Sequence, residues 1–169
     1  MRTIGSYLGT AGLAIIALTA IAPVTHAQTL TIFLSSHNVN FALVHGSATN
    51  LGSNPVSVTT SWVLGNRNRT LTVYSYFANA ATALTGAGGN IPSSAVSISV
   101  NGTAFRAMTF TEVFGGANAG RHVVLNIPIT GTGNRTDSIL FNLDLSTGTL
   151  PQLPPGTYTG TVSIQAQAI

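Results

Sequence analysis

The chain has 169 residues, only 5% of them charged, and a formal net charge of +3 with histidine neutral. Every basic residue is an arginine and they are scattered, which excludes a phosphate-binding surface of clustered cations and so a nucleic-acid partner. The absence of lysine excludes an isopeptide staple, a Schiff base and a Walker-type phosphate lysine, and the absence of cysteine excludes disulfide bracing, so stability must come from an apolar core, from assembly, or from both.

Residues 1–27 have the layout of a secretory signal peptide. Arg2 supplies the positive n-region, Leu8 to Ile21 form the apolar stretch, and Thr25-His26-Ala27 ends it with small residues at the two positions a signal peptidase reads. A retained membrane anchor fits less well, because Pro23 breaks the run before it reaches the roughly 20 residues a span needs. Cleavage after Ala27 is expected, leaving residues 28–169 as one exported domain with no integral membrane segment: secreted, periplasmic or at the cell surface.

After the leader, period-2 alternation dominates and no amphipathic helix is seen. Strands are expected at Thr29 to Leu34, Asn38 to Val44, Val56 to Trp62, Leu71 to Phe77, Val96 to Val100, Ala107 to Val113, Val123 to Ile129, Phe141 to Leu145 and Thr157 to Ala166. Asn101-Gly102 is a strong hairpin signal, and Pro128 suggests an edge or a bulge. The stretch Gly133-Asn134-Arg135-Thr136 reads as a turn. Asn79 to Ser94 reads as a surface loop, with a short helix at Ala78 to Leu84 allowed. One apolar and one polar face on nearly every strand means two antiparallel sheets packed together, or a small barrel. The expected fold is an all-β, immunoglobulin-like antiparallel sandwich.

Catalytic chemistry is not signalled. No G-x-S-x-G elbow occurs, and His37, His45 and His122 lack metal-ligand spacing, so each reads as a surface or packing residue. Asp137 and Asp144 read as solvated carboxylates, and Glu112 is the only acid among apolar neighbours. A lone acid makes no glycosidase pair, and a non-enzyme without metal or cofactor is expected. Tyr74 and Tyr76 point to the same side of their strand and suggest either a glycan- or peptide-binding platform or simple cover for the sheet. Three glycosylation sequons begin at Asn68, Asn101 and Asn134, all expected at turns where Asn is common anyway.

Near the carboxy terminus, Pro155-Gly156-Thr157-Tyr158-Thr159-Gly160-Thr161-Val162-Ser163-Ile164 runs from a tight turn into a strand. Tyr158, two residues after Gly156, is placed to bond back to the upstream backbone as in a tyrosine corner. This segment resembles the last strand of spore coat U-type and chaperone–usher pilin subunits. That resemblance implies an incomplete immunoglobulin-like fold, completed by a neighbour's amino-terminal extension or a periplasmic chaperone, on the bacterial envelope. The chain departs from the family in lacking cysteine and in ending Gln165-Ala166-Gln167-Ala168-Ile169 rather than near an aromatic residue.

Leu30, Ile32 and Leu34, within 28–36, alternate where such a donor strand would lie, and they equally suit the first strand of a complete sandwich. The expected function is therefore a secreted structural or adhesive subunit that self-associates, or joins other secreted subunits, by strand addition. A monomeric glycan- or peptide-binding module is the alternative, and a small outer-membrane barrel a third.

Overall fold

A computed structural model of the chain describes residues 28–169 apart from Ala87, Thr149 and Pro155. The expected signal peptide, residues 1–27, lies outside the described residues, as does Pro155 of the carboxy-terminal turn. The described fold is all-β and antiparallel. Its only helical stretches are single 3-10 turns at Ser93–Ala95 and Leu150–Gln152. No helix among the described residues is long and apolar enough to cross a membrane.

In chain order the strands are β1 (Thr29–Leu34), β2 (Asn50–Leu51), β3 (Val56–Val63), β4 (Arg69–Phe77), β5 (Leu84–Gly86), β6 (Gly89–Ile91) and β7 (Val96–Val100). They continue with β8 (Arg106–Ala107), β9 (Phe110–Phe114), β10 (Ala117–Ile129), β11 (Thr132–Leu143), β12 (Tyr158–Thr159) and β13 (Val162–Ala168). Among the described residues the first sheet has six strands, ordered β1-β3-β11-β7-β8 with β2 also on β11. The second is ordered β13-β4-β10-β9, and a small third β12-β5-β6. Each sheet keeps free edges, whereas a membrane barrel closes a single sheet on itself.

Alternation decides which side chains go inside. On β3, Val56, Val58 and Thr60 are buried while Ser57, Thr59 and Ser61 face outward. On β4, Leu71, Val73, Ser75 and Phe77 point inward. These residues meet Ile98, Leu125, Ile139 and Phe141 in one apolar cluster fed by both larger sheets. Leu71, Ile91, Met108 and Ile139 are wholly buried, and each such side chain stabilises the fold by about 1.5–3 kcal/mol.

The chain passes directly between the two larger sheets at three corners. β3 passes to β4 through Leu64, whose amide donates to the Gly131 carbonyl at 2.8 Å. β10 passes to β11 beside it, through Thr130-Gly131, and β8 passes to β9 through the buried Met108.

Five expectations need correction. Ala107 to Val113 is not one strand but breaks at the buried Met108 into β8 on the first sheet and β9 on the second. Asn38 to Val44 makes only an isolated bridge, Phe41 to Gly52, because the edge of β11 at that level is occupied by β2. Its main chain is held by side chains instead: the Val44 amide donates to Asn50 Oδ1 at 2.6 Å, and the Asn50 amide to Asn142 Oδ1 at 2.8 Å. Residues 133–136 are not a turn but part of β11, since the reversal comes earlier, at Gly131 with φ +61°. Residues 78–84 form no helix, and the loop after them folds into the β5–β6 hairpin. The carboxy-terminal strand is two strands, β12 on β5 and β13 on β4.

Candidate functional site

β1 and β13 are edges of different sheets, and they lie beside each other on one flank without being paired. The hydrogen-bond register fixes which main-chain groups they leave open. Ile169 and Thr70 exchange both bonds, at 3.1 and 2.7 Å, so Gln167, Gln165 and Ser163 also bond to β4. The amides and carbonyls of Val162, Ile164, Ala166 and Ala168 therefore point off the sheet. On β1, the Ser35 amide donates to the Ser57 carbonyl at 2.9 Å, which by the same alternation leaves Leu30, Ile32 and Leu34 with outward main-chain groups.

The side chains of Leu30, Ile32 and Leu34 are half-buried against the chain's own core, while Phe33 on the other face is 67% exposed. Neither strand carries a charge. On the opposite flank β8 carries Arg106 and β9 carries Glu112.

The outer face of the second sheet holds the tyrosines. Register places Arg121 opposite Tyr76 and Val123 opposite Tyr74, and the β9–β10 hairpin brings Phe114 over them. Tyr76 and Phe114 stack at 4.3 Å between ring centres, and Tyr74 lies 6.0 Å from Tyr76 and 6.2 Å from Phe114. The Arg121 guanidinium sits 5.6 Å from the Tyr74 ring and bonds Glu112 at 2.7 Å. Tyr74 is consequently only 5% exposed, and burial, then Tyr76, push its phenol up against the opposing pull of Arg121. The rings with open area on this face are Tyr76, Phe114 and, further along β9, Phe110. Phe114 and Arg121 escaped the sequence reading, although Gly115-Gly116, a two-residue turn signal, would have aligned β9 with β10.

The remaining polar candidates are structural. Asp137, expected in solvent, is 4% exposed because β11 continues through it. Its carboxylate accepts from Arg135 Nε and Nη2 at 3.0 and 2.9 Å and from Asn101 Nδ2 at 2.7 Å. Asp144 is half-buried and accepts from the Ser146 hydroxyl and amide, which hold its carboxyl below the usual range.

His37 and His45 are exposed. His122 faces Ser75 across the β10–β4 register, on the inward side, and both His122 Nδ1 and Ser75 Oγ lack a partner. Ser75 is wholly buried, so this pair offers a substrate no access. Among the described residues no group of His, Asp and Glu could hold a metal.

At the carboxy-terminal turn, the Tyr158 hydroxyl donates to the Pro154 carbonyl at 2.8 Å, with Gly156 between them in sequence and exposed. No protein-family model matches the chain, and no curated protein or solved structure matches it either.

Proposed function

We propose that the chain is a secreted structural subunit, built as an immunoglobulin-like antiparallel sandwich, that assembles by strand addition along the flank formed by β1 and β13. The observation that carries this reading is that flank itself. Two edge strands of different sheets lie together with their inward-facing residues' amides and carbonyls unpaired among the described residues, and neither has the charge that usually guards an edge.

The two larger sheets sharing one core, and the hydroxyl bond from Tyr158 to Pro154, support the immunoglobulin-like comparison. An added strand would gain main-chain bonds from β1 or β13 and register from the alternate side chains beneath. The occupant is a strand from another copy, from another exported subunit, or, before assembly, from a periplasmic chaperone. Because residues 28–36 already lie on the chain's own core, a donor role for Leu30, Ile32 and Leu34 means exchange between copies.

Ala166→Pro tests the flank, since the Ala166 amide points off the sheet and proline there leaves the β4 ladder intact. Sedimentation of residues 28–169 should show concentration-dependent assembly that this variant cuts back to a dimer at most, with unchanged far-ultraviolet dichroism. A wild-type chain that stays monomeric at every concentration, or a variant that assembles equally, defeats the reading.

A glycan- or peptide-binding module remains the second reading, because the stacked pair Tyr76 and Phe114 is partly open beside Tyr74. Glycan-array binding by wild type that Tyr76→Ala removes would favour it.

A further inference from the structure

The opposite flank carries a second, independent surface on β9. The turn before β10 has Gly115 at φ +59° and Gly116 at φ +87°, the two positive angles of a two-residue hairpin. Such a turn makes the flanking Phe114 and Ala117 a bonded pair, so Glu112 and Phe110 bond to β10 in alternation. The main-chain groups of Thr111 and Val113 then face the open edge. Exposed side chains gather on the same strand, with Phe110 at 55% and Val113 at 69%.

The strand reads Phe-Thr-Glu-Val-Phe, which is nearly the same in both directions. We propose that β9 recognises β9 of a second copy, antiparallel, about a two-fold axis through Glu112. In that register Thr111 meets Val113 of the second copy, and Val113 meets its Thr111, closing four main-chain hydrogen bonds at the positions left open. Phe110 meets Phe114 of the second copy, an aromatic cross-strand pair that lengthens the row already formed by Tyr76 and Phe114. The contact is isologous and joins two four-stranded sheets into one of eight.

Glu112 sets its strength. Each carboxylate is neutralised by its own Arg121 at 2.7 Å, yet the two still face each other on the axis, where like charges weaken a pair.

Four variants of the full exported chain test this, each in an Ala166→Pro background so that association through the β13 edge is removed. Glu112→Gln should tighten self-association about two- to fivefold, the worth of one cross-strand pair. Val113→Pro, which removes an edge amide without touching β10, should abolish association while leaving the dichroism unchanged. Because the chain has no cysteine, Glu112→Cys should close a disulfide dimer on oxidation, whereas Phe110→Cys, whose partner in this register is Phe114, should not. A Glu112→Cys chain that stays monomeric, or cross-linking from Phe110→Cys just as readily, overturns the register. Loss of oligomers in Ala166→Pro with the Glu112→Cys dimer intact would separate this contact from the flank of β1 and β13.

Discussion

His122 shows how one inward-facing ring ties stability to pH. It sits on β10 opposite Ser75, and burial lowers its affinity for protons. The nearby Arg106 charge acts in the same direction, and the backbone of Ala107 opposes both. Its folded pKa therefore lies below its unfolded value of about 6.5, and between the two the unfolded chain binds more protons. The stability this residue contributes is complete above about pH 6.5 and drains away as pH falls through the folded pKa. Urea midpoints at pH 7.5 and pH 5 should drop further for wild type than for His122→Gln, and equal drops would show that the ring is not the cause.

A second residue-scale test lies two positions back. A Cβ on Gly120 would collide with Ser93 Oγ and press on the Met108 carbonyl, the two atoms that share a 2.8 Å hydrogen bond. Gly120→Ala should cost about 1–3 kcal/mol in chemical denaturation, the usual range for overpacking. Neither constraint was visible in the sequence, where His122 is one polar residue in an apolar strand. Asp137 was equally opaque: its burial depends on Arg135 and on Asn101, a residue 36 positions away.

At the scale of elements, alternation located β1, β3, β4, β7 and the inner faces of β10 and β11, because a half-buried strand writes its own two-residue period. Alternation also suggested a strand at 38–44 that does not form. The pattern Val39, Phe41, Leu43 is genuine, but a strand also needs an unoccupied edge, and which edge is free is settled by pairing elsewhere in the chain. The turn misplaced at 133–136 has a similar origin. Gly133 packs its backbone against the Trp62 ring, so its glycine serves a close approach rather than a reversal.

Where turn chemistry was decisive it was legible: Asn101 and Gly102 have φ +51° and +76°, as their hairpin requires. The Gly115-Gly116 turn makes the same point testable. Gly116→Ala places a side chain at φ +87° and should loosen the β9–β10 hairpin by about 1–2 kcal/mol. Amide exchange would then speed up from Phe110 to Ala119 and stay slow in β4.

On the scale of the whole molecule, the registers place both ends of the described chain together. Thr29 pairs with Val63, and Ile169 bonds to Thr70, while 63 and 70 are joined by the short corner through Leu64 and Gly65. Nothing in the sequence announces this, since it requires the first strand to edge one sheet and the last strand to edge the other on the same side. Without cysteine, that flank is held by noncovalent contacts alone.

Joining Ile169 to Gln28 through a flexible linker of about ten residues, which reaches roughly 16–19 Å on average, should therefore close the chain without strain. Closure removes conformational freedom from the unfolded state and leaves the folded state alone, so the urea midpoint should rise by an amount equivalent to a few kcal/mol. A cyclic chain less stable than the linear one would mean that the ends lie apart, and with them β1 and β13.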